Sequence, residues 1–317
     1  MALLRNPRLR RAWLVAGVVV VPAGLAALFV LLVRRLPLVE LSETAGVVTA
    51  SFALALAGYA LFARRLARVL EAFFIRLPRA SVWRIHLSSL FYYFFLPAGI
   101  GYDFSKVAKI ALQAPREGGG RVTLAVAAER LAGGAGVYLL LLASLPFTRM
   151  VPDSRLEWLT PPDWAWPPLV AVVPLAAWLI ARGARRRRDY RAGPLVHAVA
   201  VAAFAHLAIA GAVWFVATSL DIGVSFPEIV VALAATLLFQ LLPVNFLGVT
   251  LGEVAAVSVY LAYGLARPEA LLLTAVAYAH RLVAAMVGGG IEVAGAWQAL
   301  RAERGAPGRG AGWGVRS

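Results

Sequence analysis

The 317-residue chain is 61% hydrophobic and only 15% charged, and its 31 Lys and Arg against 16 Asp and Glu leave a formal charge of +15. Soluble domains carry about 25% charged residues, so this composition excludes a disordered or nucleic-acid-binding chain and points to a polytopic membrane protein whose basic bias sets its orientation. The absence of cysteine excludes a disulfide scaffold, a Cys-x-x-Cys zinc site, c-type haem attachment and a cysteine nucleophile.

Arg5, Arg8, Arg10 and Arg11 precede an apolar run, Ala12–Val33. As a helix it is about 33 Å long, enough for a hydrocarbon core of ~30 Å, which predicts a retained first span and not a signal peptide. Thr44–Ala63 reads as a second span closed by Arg64, Arg65 and Arg68, and residues 66–79 as an amphipathic helix lying in the interface. Val82–Leu96 is about 22 Å long as a helix, too short to cross, and stops at Pro97-Ala98-Gly99-Ile100-Gly101-Tyr102-Asp103. Phe104–Gln113 follows, then a basic loop with Arg116 and Arg121. Basic loops on both sides make this a re-entrant hairpin broken at Pro97, Gly99 and Gly101, its tip buried at membrane depth.

Val122–Phe147 crosses outward, residues 148–165 form a Trp- and Pro-rich outer loop, and Trp166–Ala181 returns to the arginine run 185–188. Leu195–Leu220 crosses again. Pro227–Leu242, about 24 Å as a helix, then stops at Pro243-Val244-Asn245-Phe246-Leu247-Gly248. Thr250–Ala266, a turn at Arg267-Pro268-Glu269 and a last helix, Ala270–Trp297, complete the pattern. The expected fold is an all-α, polytopic integral membrane protein of about 6–8 membrane helices. A second re-entrant hairpin, broken at Pro243, Asn245 and Gly248, enters from the opposite face, which makes two halves, about 44–147 and 195–297, into an inverted repeat. Residues 1–300 form one transmembrane domain, leaving no room for a folded soluble domain, and 301–317 a basic, disordered cytoplasmic tail.

Each half carries a carboxylate after its break and an arginine inside the following helix: Asp103 and Arg130, Glu253 and Arg281, spaced 27 and 28 apart. Broken helices at corresponding positions of inverted halves are the pattern of an alternating-access transporter, with its site where the breaks meet.

These residues resemble the lysylphosphatidylglycerol synthase transmembrane family, also called the flippase-like domain family. The first motif stands as Leu96-Pro97-Ala98-Gly99-Ile100-Gly101-Tyr102-Asp103-Phe104-Ser105-Lys106 and the helix motif as Glu129-Arg130. The second loop stands as Leu242-Pro243 to Glu253, and the last arginine is Arg281. Tyr102 replaces a glycine, Lys106 an arginine and Glu129 an aspartate of the family pattern, so charge type is kept. The resemblance covers roughly residues 10–300 and implies translocation of a phospholipid, or a lipid of polyprenyl or hopanoid type, between leaflets. It implies the membrane half alone, without the aminoacyl-transferase domain.

An arginine at mid-bilayer costs about 2.5–3.5 kcal/mol and needs a partner. Arg130 and Arg281 are read as headgroup clamps or as structural ion pairs, and Asp103 and Glu253 as counter-ions, proton carriers or caps of the half-helices that follow them. Glu129 is a further partner for the arginines. Lys106 and Lys109, the two lysines of the chain, are read as exposed cytoplasmic charges or headgroup contacts, and His280 as an interhelical hydrogen bond or a proton shuttle. Aromatic residues 91–95 are read as a packed wall or a lipid-tail path, and the glycines at 133–136 and 288–290 as close-packing faces.

The four histidines have no metal-ligand spacing, no cofactor is expected, and no phosphate-binding loop, zincin motif or Asp-x-Asp pair marks an enzyme. The expected function is a lipid flippase for an anionic or phosphate-bearing lipid, in the inner (plasma) membrane with both termini cytoplasmic. The alternatives are a scaffold that docks a lipid-modifying enzyme as its partner, or an intramembrane lipid transferase.

Overall fold

A computed structural model describes residues 41–95, 100–148, 190–240, 245–246 and 249–305. The first expected span, the outer loop, the Trp166–Ala181 span, the arginine run 185–188, and Pro97, Gly99, Pro243 and Gly248 lie outside the described residues. Among the described residues eight α-helices run in order: α1 Leu41–Ala72, α2 Arg79–Phe95, α3 Ile100–Gln113, α4 Gly119–Ser144, α5 Ala192–Ser219, α6 Phe226–Phe239, α7 Leu251–Ala262 and α8 Arg267–Gly305. The one ladder among the described residues joins β1 Asn245–Phe246 to β2 Val249–Thr250, antiparallel, beside the second expected break. Among the described residues four helices are long and apolar enough to cross a membrane: Gly46–Ala72, Gly119–Phe147, Ala192–Ser219 and Arg267–Gly295, of 27 to 29 residues. The chain is an α-helical protein with the make-up of a membrane protein.

Local signals start several of these helices. Gly118, at φ 71°, turns the chain into α4 in a backbone region open to glycine. Ser225 precedes α6, with Pro227 in the first turn and Glu228 accepting from the Ser225 N–H at 2.8 Å. Arg267-Pro268-Glu269, read from the sequence as a turn, is the first turn of α8; Glu269 accepts from the Ala266 N–H at 2.9 Å, as an N-terminal carboxylate does. At its other end α8 stays helical through Gly305, into the stretch expected to be a disordered tail.

The larger correction concerns residues 66–79. No separate interfacial helix begins at Leu66; α1 continues to Ala72, and Leu66, Val69, Leu70 and Phe73 are buried in the core. Their i, i+3, i+4, i+7 spacing is that of a helix face turned inward. The arginines before them looked like a span's end, but Arg65 is buried against a carboxylate inside the bundle, while Arg64 faces outward.

The eight helices fall into two sets of four, each long, short, short, long: 32, 17, 14 and 26 residues, then 28, 14, 12 and 39. The packing follows the same order. Within the sets α1 packs on α2, α2 on α3, α3 on α4 and α1 on α4, as α5 on α6, α6 on α7, α7 on α8 and α5 on α8. Between the sets α2 packs on α8 as α6 does on α4, and α4 on α5 as α8 does on α1. The largest junction joins α1 to its counterpart α5. It is antiparallel: the Arg191 N–H donates to the Ala72 carbonyl at 2.9 Å at one end, and Ser51 Oγ to the Ala212 carbonyl at 2.9 Å towards the other.

One buried cluster belongs mainly to the first set (Phe73, Ile85, Ile110, Val122) and another mainly to the second (Val213, Ile229, Tyr260, Leu273). A third, with Phe62, Leu90, Ile209 and Leu282, joins them.

The α2–α8 junction is close enough to require glycine. A Cβ on Gly288 would fall on the Leu87 carbonyl oxygen, whereas one on Gly290 would meet nothing within 4 Å. Gly288→Ala is therefore expected to destabilise the protein by about 1–3 kcal/mol through overpacking. Gly290→Ala should be neutral or stabilise it by up to about 1 kcal/mol, and thermal unfolding in detergent micelles compares the two.

Candidate functional site

The start of α3 and the middle of α4 bring Asp103 and Arg130 together, and Arg130 Nη1 donates to Asp103 Oδ2. The start of α7 and the middle of α8 do the same for Glu253 and Arg281, where Arg281 Nη2 donates to Glu253 Oε1. The spacing of 27 and 28 positions thus corresponds to two contacts built on equivalent helices of the two sets.

Glu253 is both a cap and a counter-ion. Its Oε2 accepts from the Thr250 N–H at 2.6 Å and from Thr250 Oγ1 at 2.7 Å, holding the N-terminus of α7, while Oε1 is left for Arg281. Asp103 lies in the first turn of α3, and its Oδ1 is buried without a hydrogen-bond partner among the described residues.

Both pairs face one cavity of about 250 Å³ at the junction of the two sets. Its walls are mainly apolar and aromatic, and include Tyr59, Phe62, Tyr93, Tyr102, Tyr260 and Tyr278. The pairs differ in depth. The side chains of Arg281 and Glu253 are 13% and 11% exposed, and those of Arg130 and Asp103 are 42% and 24% exposed. Tyr93 and Tyr278 lie 5.3 and 5.6 Å from the Arg281 guanidinium carbon, within cation–π range. Gln240, at the end of α6, also lines the cavity, and its Nε2 is buried without a partner among the described residues.

A third charged group forms part of the same wall, with two members that the sequence reading placed elsewhere. Glu129 is fully buried; Oε1 accepts from Arg65 Nε at 2.9 Å and also from Arg65 Nη2, and Oε2 accepts from Lys106 Nζ at 2.7 Å. Lys106 is therefore not an exposed cytoplasmic charge: it has 0% exposure and lies 3.6 Å from the centre of the Tyr102 ring. Arg65 escaped notice because three arginines at a helix end read as a water-facing flank. The signal that could have found it is Gly133, one turn after Glu129, where a Cβ would stand 2.6 Å from Arg65 Nη1.

Lys109 is only partly exposed, and it joins the sets elsewhere. Its Nζ donates to Glu292 Oε1 of α8 and to Ser88 Oγ at 2.5 Å, and Tyr92 donates to Glu292 Oε2 at 3.3 Å. Glu292 was not among the residues singled out from the sequence.

His280 does not line the cavity. Its Nε2 lies 2.8 Å from Ser51 Oγ on α1, with Phe52 edge-on at 4.8 Å, which is the interhelical hydrogen bond of the two sequence readings. The residue before each arginine, Glu129 or His280, is thus turned towards α1. The aromatic run divides in the same way: Phe94 is core, Phe91 abuts Gly289, and Tyr93 reaches the cavity. Of the residues expected to break the hairpins, Gly101 is instead buried inside the first turn of α3, and Asn245 lies in β1.

No group of three or more His, Cys, Asp or Glu that could hold a metal ion occurs among the described residues. The arrangement offers an aromatic-walled chamber with guanidinium groups from both sets, each held by a carboxylate that an incoming anion could replace. Guanidinium is suited to phosphate, which it binds through two parallel N–H donors. No protein-family model matches the chain, and no curated protein shows significant similarity to it.

Among the described residues Glu129 is the sole carboxylate bonded to two buried cations. Glu129→Gln should therefore cost about 3–5 kcal/mol of stability, as breaking a buried pair does. Loss of the exposed Arg68–Glu71 pair in Arg68→Ala should cost about 0–1 kcal/mol. Unfolding midpoints of the two variants in the same micelle give the comparison.

Proposed function

We propose that this protein moves an anionic, phosphate-bearing lipid between membrane leaflets by alternating access of two oppositely inserted halves. The observation that carries the reading is the meeting of Asp103–Arg130 and Glu253–Arg281, from equivalent helices of two sets of four, in one aromatic cavity. In one conformation a phosphate takes the guanidinium groups from their carboxylates; in the other the carboxylates take them back and the lipid leaves. Each guanidinium stays paired, with phosphate in one conformation and with its carboxylate in the other, which lowers the cost of carrying an anion through hydrocarbon.

The topology belongs to the same proposal. The short pairs α2–α3 and α6–α7, each interrupted at an expected break, are read as re-entrant hairpins entering from opposite faces, and the two sets as an inverted repeat. Antiparallel α1 and α5 support that reading. With the outlying spans the chain has 6–8 membrane segments, both termini in the cytoplasm and the inner (plasma) membrane as its place. The motif resemblance to the lysylphosphatidylglycerol synthase transmembrane family points to the same function.

Arg130→Ala and Arg281→Ala are each expected to lower the transfer of tail-labelled phosphatidylglycerol in proteoliposomes at least about tenfold, the effect of ~1.4 kcal/mol of lost binding. Unchanged transfer in both variants would rule out the headgroup role, and a covalently altered lipid would favour a transferase. The topology has its own test, helped by the absence of cysteine. Single cysteines at Ile100 and Phe246 should react with a membrane-impermeant thiol reagent from opposite sides, and labelling of both from one side would contradict the inverted arrangement.

A further inference from the structure

The charges around the cavity do not cancel. Arg65, Arg130 and Arg281 line it, each bonded to its own carboxylate, Glu129, Asp103 or Glu253, three cations and three carboxylates. Lys106 adds a fourth cation. It lies behind Glu129, fully buried, with its ammonium between the carboxylate at 2.7 Å and the Tyr102 ring at 3.6 Å. Both partners favour the charged amine. His206, the one histidine of the lining, is neutral at pH 8. Among the described residues the chamber therefore holds one positive charge in excess, and its source is identifiable.

We propose that Lys106 sets the charge of the lipid this cavity accepts: a headgroup of net charge −1, a phosphodiester with no compensating amine, in preference to a zwitterionic headgroup or a phosphomonoester. Bound with a monoanion, the chamber is neutral. With a zwitterion it keeps an unmatched cation in a low-dielectric surrounding, and with a dianion an unmatched negative charge; each costs Coulomb energy that the monoanion does not. Lys106 touches no ligand in this account. It acts through Glu129, by using half of the carboxylate that would otherwise neutralise Arg65. The inference rests on the lipid-transfer function proposed above and specifies its substrate class.

The test is transfer of tail-labelled phosphatidylglycerol, phosphatidylcholine and phosphatidic acid in proteoliposomes at pH 8, where a phosphomonoester carries about −2. The unaltered protein is expected to move phosphatidylglycerol on the order of tenfold faster than phosphatidylcholine, since ~1.4 kcal/mol separates them. Lys106→Met leaves Arg65 and Glu129 as a balanced pair and the empty chamber neutral, and should reverse that ratio, to about tenfold in favour of phosphatidylcholine. Asp103→Asn removes a carboxylate at the more exposed pair and tests the same arithmetic without touching the buried group. It should shift preference from phosphatidylglycerol towards phosphatidic acid, again by about tenfold.

Equal transfer of phosphatidylglycerol and phosphatidylcholine by the unaltered protein, with Arg281→Ala inactive on both, would overturn the charge rule and leave the flippase function standing. An unchanged phosphatidic acid to phosphatidylglycerol ratio in Asp103→Asn would overturn it too, even if Lys106→Met does not fold. Transfer of no lipid by the unaltered protein would refute the flippase function itself and this inference with it.

Discussion

A guanidinium or ammonium group inside a helical bundle in hydrocarbon cannot leave its charge to water, so it must keep a carboxylate within reach. Five of the charged contacts here obey that constraint by joining different helices: Arg65 and Lys106 with Glu129, Arg130 with Asp103, Arg281 with Glu253, and Lys109 with Glu292. The helices could slide on their apolar faces at little cost, since lipid and leucine are similar environments. The ion pairs fix which faces meet. Gly133 makes room for the Arg65 head, and Glu253 is set by the capping of α7 before it meets Arg281.

The same constraint gives the cavity its chemistry. Two sets of four helices pack in matching order, so a carboxylate at the start of the third helix and an arginine inside the fourth occur twice, and both pairs reach the junction. The pairs are alike in composition and unlike in depth, Arg281–Glu253 being the more enclosed. A site of this kind can exchange an internal anion for an external one without leaving a guanidinium unpaired. A phosphate headgroup fits that exchange, and the aromatic walls suit the apolar part of a lipid.

Much of this was legible in the sequence. Helix length and polarity marked Gly119–Phe147 and Ala192–Ser219, and the residues flanking the Leu-Pro breaks marked the short helices. The acid-to-arginine spacing pointed to contacts that exist. What failed was the placing of two cations that lie outside the repeated acid-to-arginine pattern. Arg65 and Lys106 look like ordinary flanking cations until Glu129, 64 and 23 positions away, is seen between them. Charge bias places basic residues outside the bilayer by default, and no local pattern distinguishes the exceptions. The same blindness turned residues 66–72 into an interfacial helix, because burial against α2 to α4 is a long-range fact.

The proposed transport requires that the arginines release their carboxylates to hold a lipid phosphate. Cryo-electron microscopy of the protein in nanodiscs rich in phosphatidylglycerol tests it most directly. The account predicts headgroup density within hydrogen-bond distance of Arg281 and Arg130, with at least one of the contacts to Glu253 and Asp103 opened. Lipid density confined to the outer faces of the helices, with both ion pairs closed in every conformation observed, would contradict it.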